Sequence, residues 1–144
     1  LLPDDLIIKN NCSKNMISIH KKYSASVMAS MNVKKKDVTR WGIYKVKKKI
    51  NDKNFLIEGV IEKPSINKAP SNKAIIGRYI LSKKIFTKLK KQKKGKSGEI
   101  HITDAIQSLI LENNKFVGHN FAGKYLDCGT MKGYIRSSIK ISKE

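Results

Sequence analysis

The sequence predicts an α/β fold, because segments with helical periodicity alternate along the chain with short apolar segments typical of strands. Hydrophobic residues make up 40% of the 144 residues, which is enough to build one core. Neither an internal repeat nor a clear linker interrupts this alternation. We therefore expect one domain that covers residues 1–144.

The first part of the chain predicts one helix among several strands. Leu1 and Leu2 are interpreted as the end of a buried strand. A helix is expected over residues 11–23, where apolar side chains recur near one face. The polar turn at 51–54 joins two predicted strands into a pair. The predicted strands of this part cover residues 25–31, 41–47, 55–61 and 74–81.

The second part continues the alternation. Ser82 is expected to cap a short helix, and the lysine- and glycine-rich residues 90–98 are interpreted as a mobile connection. A longer helix is expected to begin at Thr103 or its neighbour. Its expected buried stripe consists of Ala105, Ile106, Leu109 and Ile110. The remaining predicted elements are strands at 115–121 and 124–126 and a helix after Thr130.

The strong positive charge does not by itself predict a nucleic-acid protein. The net charge of +20 comes from 31 basic and 11 acidic residues, and the lysines are spread over every predicted element. Only three of the basic residues are arginines, and most aromatic residues lie within apolar runs, whereas readers of nucleic acid more often expose both. We expect weak nonspecific binding to polyanions and no specific nucleic-acid partner.

The sequence carries no signal for a cysteine-bound metal site, a membrane span or a secreted protein. Cys12 and Cys128 do not have metal-ligand spacing. The chain has no apolar stretch long enough to span a membrane and no N-terminal signal pattern. A cytoplasmic protein without a membrane partner is therefore expected.

The most informative local feature is Glu62-Lys63-Pro64, which follows the apolar run at 55–61. A carboxylate can accept hydrogen bonds from vicinal sugar hydroxyls, and an ammonium group suits phosphate oxygens. Proline ends the strand, so that both side chains can face a crevice. On its own such a tripeptide is usually a solvated strand end, and its interpretation depends on the neighbouring motifs.

Glu62-Lys63-Pro64 is one of six motifs whose order along the chain determines how it is interpreted. They are LLPDDLI (1–7), WGI (41–43), EKP (62–64), APSNKAIIGRY (69–79), GEIHITDAI (98–106) and YLDCGT (125–130). Together they resemble the bacterial UTP:glucose-1-phosphate uridylyltransferases of the sugar-phosphate nucleotidyltransferase family, over essentially the whole chain. The resemblance implies a Rossmann-like nucleotidyltransferase fold with a mixed sheet flanked by helices.

The resemblance also implies that part of the family's machinery is absent from these residues. No glycine-rich phosphate loop occurs within residues 1–144. We therefore expect 1–144 to be the C-terminal portion of the domain, lacking the nucleotide-binding loop. On this interpretation the 144 residues alone should show no measurable turnover.

The implied reaction joins UTP and glucose 1-phosphate to give UDP-glucose and pyrophosphate, with magnesium as the metal and a homo-oligomer as the intact enzyme. The resemblance implies that Asp4 is the metal-binding aspartate and Asp127 the second ligand, since magnesium prefers one or two carboxylates together with phosphate oxygens. Asp127 could instead cap the following helix. Asp5 has no implied role and could be an ordinary turn or cap residue.

For the sugar pocket, the resemblance implies that Glu62 accepts glucose hydroxyls and that Lys63 is the catalytic residue that binds the phosphate. Gly42 would allow close approach to the sugar ring, although a bulge is the ordinary alternative. Ile75 and its neighbours Ala74 and Ile76 would form the strand wall.

Two alternatives to the enzyme remain open from the residues. The chain could be a sugar-nucleotide sensor without catalysis, or a basic module that binds nucleic acid. Because nonspecific binding collapses as salt rises, binding of UDP-glucose compared with RNA in rising salt would separate them. The three histidines, His20, His101 and His119, are interpreted as structural residues.

Overall fold

The computed structural model describes residues 1–93 and 98–143, which form seven strands and four α-helices. The strands are β1 (Asp5–Ile8), β2 (Ser26–Asn32), β3 (Gly42–Lys49), β4 (Asn54–Glu62), β5 (Lys73–Ile80), β6 (Phe116–Asn120) and β7 (Lys124–Asp127). The α-helices are α1 (Cys12–Tyr23), α2 (Lys84–Lys91), α3 (Ile102–Leu111) and α4 (Met131–Ile141). Short 3-10 helices cover Lys35–Arg40 and Ile66–Lys68. None of the described helices has the length and apolar character needed to cross a bilayer.

The larger sheet contains both strand orientations. β2 pairs in parallel with β6 and antiparallel with β5, while β4 pairs antiparallel with β3 and β6. The strand order β2-β5-β3-β4-β6 closes on itself, because β6 returns to β2. The predicted mixed sheet is therefore confirmed.

Helices cover this sheet with the apolar faces that the sequence predicts. Met16 and Ile19 of α1 are buried in one cluster with Val27 of β2. Ile106 and Leu109 of α3 belong to another cluster, which includes the fully buried Tyr44 of β3. The predicted stripe on α3 is confirmed, since Ala105, Ile106 and Leu109 are buried and Ile110 packs beside them.

β1 and β7 form a separate two-stranded antiparallel sheet, in which Asp5 is paired with Asp127. The predicted strand end at Leu1 and Leu2 is wrong. Both side chains are exposed, and the first strand begins only at Asp5. A backbone hydrogen bond of 2.8 Å from the Leu2 N–H to the Gly77 carbonyl fixes this leading segment against β5.

Two predictions around α2 also need correction. The residue that precedes the helix is Lys83 rather than Ser82, and no side-chain hydrogen bond caps the helix. The Ser82 carbonyl instead accepts the Ile85 N–H at 3.1 Å. Of the predicted connection, residues 90–91 still belong to α2, and residues 94–97 lie outside the described residues.

His119 in β6 makes the stability of the fold dependent on pH. Its side chain is buried, and Nδ1 lies 2.8 Å from Oδ1 of Asn54. Burial, reinforced by the charge of Lys53, lowers the pKa of His119 below its ordinary value of 6.5. Below about pH 6.5 the unfolded chain therefore binds a proton that the folded chain does not, and stability falls until the lowered pKa is reached.

We expect His119→Gln to reduce the loss of unfolding free energy between about pH 7 and about pH 5, because glutamine does not titrate in this window. Urea denaturation of the wild type and the variant at both pH values measures the difference. An equal loss in both proteins would contradict this assignment.

Candidate functional site

A cavity of about 770 Å³ lies where the small sheet meets the start of β3, the end of β4, one face of β5 and the start of α3. Its size is that of a typical small-molecule site. Residues from distant parts of the sequence share its wall. All six predicted site residues line it: Asp4, Gly42, Glu62, Lys63, Ile75 and Asp127.

Gly42 and Glu62 are directly paired across β3 and β4. A Cβ atom added at Gly42 would lie 2.9 Å from Cδ1 of Ile75 and 3.2 Å from Oε2 of Glu62. A side chain at this position would therefore push into both predicted substrate contacts. The bulge alternative for Gly42 is wrong, since the register of this strand pair first shifts between Lys45 and Val46.

The strand wall is narrower than predicted. Ile75 lines the cavity, but its neighbours Ala74 and Ile76 are fully buried in two other clusters. Successive side chains of a strand point to opposite faces, so only one of the three can reach the cavity.

A buried threonine orients the carboxylate of Glu62. Oγ1 of Thr103 donates a hydrogen bond of 2.5 Å to Oε2 of Glu62. The sequence predicts only that a helix begins at Thr103 or its neighbour, and it does not signal this contact between residues 41 positions apart. The contact fixes one carboxylate oxygen and leaves Oε1 as an acceptor for a ligand.

Lys63 has an unusual backbone conformation. Its φ angle is 42°, in the left-handed region that residues other than glycine rarely adopt. A hydrogen bond of 3.1 Å from its backbone N–H to the Trp41 carbonyl holds it there. Residues in such conformations cluster at ligand-binding sites, where the surrounding structure maintains them. The side chain itself is exposed and lines the cavity.

The two predicted metal ligands meet at one end of the small sheet. The Cys128 N–H donates a hydrogen bond of 2.8 Å to the Asp4 carbonyl. A Cβ atom added at Gly129 would lie 2.7 Å from Oδ2 of Asp4 and 3.4 Å from Oδ1 of Asp127. Both carboxylates thus converge on the same glycine, which leaves room between them.

Asp127 does not cap α4. Oγ1 of Thr130 caps that helix by accepting the Gly133 N–H at 3.0 Å. Asp127 instead accepts the Gly129 N–H at 3.0 Å through Oδ1, and its Oδ2 lies 3.4 Å from Nη2 of Arg40. The capping alternative for Asp127 is therefore wrong.

Asp5 connects the small sheet to the larger one. Its carboxylate is buried, and it accepts hydrogen bonds from the Gly77 N–H at 2.5 Å and from the Tyr125 hydroxyl. Burial and the hydrogen bond to Asp5 raise the pKa of Tyr125, which keeps this phenol protonated. Asp5 is thus neither a turn residue nor a cap, and it holds in place the small sheet, which begins directly after Asp4 and includes Asp127.

One of the three histidines lines the cavity, and the other two lie elsewhere. His119 is buried in β6 and His20 lies on α1, but His101 lines the cavity beside Thr103.

A family comparison agrees with this geometry. Residues 1–144 match the family model described as nucleotidyl transferase. The chain belongs to the nucleotidyl transferase family. The resemblance stated from the six motifs is thereby confirmed.

Individual relatives of this nucleotidyl transferase chain share one described activity. A UTP–glucose-1-phosphate uridylyltransferase of Pseudomonas aeruginosa is 34% identical over 141 residues, which are 96% of this chain and 50% of the relative. A relative of that description from Komagataeibacter xylinus is 34% identical over 131 residues, 90% of this chain and 45% of the relative. The chain spans about half the length of these curated relatives.

The fold comparison gives the same family. A crystal structure of UDP-glucose pyrophosphorylase complexed with UDP-glucose superimposes with a TM-score of 0.91 and 36% identity, covering 99% of this chain and 55% of that chain. The predicted nucleotidyltransferase fold is therefore confirmed.

The side chains of Asp4 and Asp127 are of the type that can bind a divalent metal. Within residues 1–93 and 98–143, no group of three or more histidine, cysteine or acidic side chains could hold a metal ion. Asp4 and Asp127 nevertheless both place a carboxylate oxygen close to Gly129. Magnesium commonly binds one or two carboxylates and completes its shell with phosphate oxygens and water.

Proposed function

We propose that the protein carrying this chain is a UTP:glucose-1-phosphate uridylyltransferase, which forms UDP-glucose and pyrophosphate from UTP and glucose 1-phosphate. We propose that this chain supplies the sugar-phosphate pocket of that enzyme. One observation carries the proposal: a single cavity contains a carboxylate fixed for hydroxyl recognition, an adjacent lysine and a convergent pair of aspartates.

The wall formed by Gly42, Glu62 and Ile75 suits the glucose ring. Glu62 accepts sugar hydroxyls through Oε1, because Thr103 occupies and orients Oε2. The absence of a side chain at Gly42 lets the ring approach the sheet. The apolar Ile75 side chain packs against a face of the sugar. Specificity in this pocket therefore depends on one pre-oriented carboxylate.

Lys63 holds the phosphate that attacks the α-phosphorus of UTP. Both substrates are anions and repel each other, so the site must neutralise charge and align the attacking and leaving oxygens. The position of Lys63 next to Glu62 fixes the phosphate relative to the sugar that Glu62 binds. Positioning of this kind supplies most of the rate in phosphoryl and nucleotidyl transfer.

Asp4 and Asp127 would hold the magnesium ion. When bound, the ion neutralises phosphate charge and aligns the reacting phosphates. Asp4 carries the larger part of this role, because Asp127 already accepts the Gly129 N–H and faces Arg40. The proposal includes a cytoplasmic, homo-oligomeric enzyme with neither a membrane nor a specific nucleic-acid partner.

Glu62→Gln tests the proposal. We expect the affinity for UDP-glucose to fall about tenfold or more, since hydrogen bonds to charged groups contribute about 1.5–3 kcal/mol. Isothermal titration calorimetry on the full-length protein measures this change in UDP-glucose affinity. Glu58→Gln is the matched control, because Glu58 lies on the same strand but pairs with Lys45 and lies outside the cavity.

A second titration separates the enzyme from a basic polyanion-binding protein. UDP-glucose binding should persist as salt rises, whereas binding of an RNA oligonucleotide should collapse. Equal losses in the two glutamine variants, or binding of UDP-glucose that disappears with salt like that of RNA, would reject the sugar pocket.

A further inference from the structure

A second cavity, of about 420 Å³, lies between α4 and the 3-10 helix Lys35–Arg40. It adjoins the sugar-phosphate cavity, because Arg40, Tyr125, Asp127 and Thr130 line both. The proposed reaction uses only the shared edge. The rest of this cavity has no role in the function proposed above.

The lining of this second cavity is strongly cationic. Arg40 contributes from the 3-10 helix, and Lys132, Arg136 and Lys140 contribute from α4. Among the described residues that line it, Asp127 alone is acidic. Concave surfaces that gather charge of one sign concentrate ligands of the opposite sign.

The three cations on α4 are spaced four residues apart and therefore share one face of the helix. Like charges at this spacing destabilise a helix, so their alignment costs stability unless an anion compensates them. The first turn of α4 contains no acidic residue, and the positive end of the helix dipole adds to the field. Arginine guanidinium groups also bind phosphate in a bidentate manner.

These observations define the ligand by its chemistry. The cavity volume suits a small molecule rather than a strand of nucleic acid. Several cations around one concave space suit linked phosphates better than a single phosphate. We propose that this cavity is a second anion site that binds a di- or triphosphate group. Arg40 connects the site to the reaction, because the guanidinium that would bind the anion also faces Asp127.

The test is pyrophosphate binding without magnesium, measured by isothermal titration calorimetry on the protein as its gene encodes it. The double variant Arg136→Gln/Lys140→Gln removes two charges that lie outside the sugar-phosphate cavity. We expect its affinity for pyrophosphate to fall about tenfold or more, and orthophosphate to bind the wild type more weakly than pyrophosphate. Amide signals at the start of α4 should shift when pyrophosphate binds to the wild type.

The matched control is Lys14→Gln/Lys21→Gln, which removes the same charge from exposed positions on α1. The site is overturned if the α4 variant binds pyrophosphate like the wild type, or if both double variants lose affinity equally. Equal losses would mean that general charge attraction accounts for the binding.

Titration with UTP distinguishes a nucleotide from free pyrophosphate as the natural ligand of this cavity. A parallel loss of UTP and pyrophosphate affinity in the α4 variant supports the site and assigns it to a nucleotide. Loss for pyrophosphate alone supports the site and assigns it to the free anion. The result is independent of the proposed function, because UDP-glucose binding by the Glu62 and Glu58 variants tests that function separately.

Discussion

Replacing Lys63 with alanine is expected to reduce turnover by about 100-fold to 1000-fold, the loss typical when one group that stabilises the transition state is removed. The sugar phosphate then loses the cation next to Glu62, and more of its negative charge repels the incoming UTP. Pyrophosphate release from UTP, glucose 1-phosphate and magnesium measures the effect in the protein as its gene encodes it.

The backbone conformation and exposure of Lys63 mean that this substitution should change turnover with little effect on folding. Its positive φ is equally unfavourable for lysine and for alanine, and the lysine side chain is exposed, so folding should be little affected. Lys68→Ala in the following 3-10 helix is the matched control, because Lys68 is exposed and lies outside the cavity. Near-normal turnover in the Lys63 variant would reject its assignment to the phosphate.

Replacing Asp4 with asparagine is expected to abolish most magnesium-dependent turnover, by about 100-fold or more, while glucose 1-phosphate still binds. The change is nearly isosteric but removes the charge that the metal requires, and metal stabilisation of phosphate charge amounts to several kcal/mol. Turnover as a function of magnesium concentration, with calorimetry of glucose 1-phosphate binding, measures both effects. Asp127→Asn should have a similar or milder effect.

The neighbouring Asp5 gives the contrasting variant. Asp5→Asn should lower stability by about 1–3 kcal/mol, because an amide can accept only one of the two donated hydrogen bonds at this buried position. Thermal unfolding should therefore separate the two aspartates, with Asp4→Asn close to the wild type. Full activity of Asp4→Asn at limiting magnesium would show that the metal site lies elsewhere.

Local patterns were sufficient to predict most elements of this fold. The apolar periodicity of residues 11–23 and 103–110 reflects faces that pack against the sheet, so α1 and α3 were predictable. β1 was not, because its four residues show no alternation and the most buried of them is the charged Asp5. A short strand with a buried carboxylate resembles a turn when its partner strand is unknown.

The site likewise combines residues that the sequence identifies with contacts that it does not. Resemblance identified the residues that line the cavity, and the structure brings them together from positions 4 to 127. The residues that hold them in place could not be predicted. Thr103 reaches Glu62 across 41 positions, and Tyr125 reaches Asp5 across 120. Such contacts depend on the packing of whole elements, and no local sequence pattern contains that information.

The separation of the small sheet from the larger one bears on how new specificities could evolve. Asp127 belongs to the small sheet and Asp4 immediately precedes it, whereas Gly42, Glu62 and Ile75 belong to the larger one. On the proposed function, mutations that reshape the wall for another sugar can accumulate without changing Asp4 or Asp127. On the proposed function, the sugar wall can therefore diverge while the proposed metal-binding pair is retained.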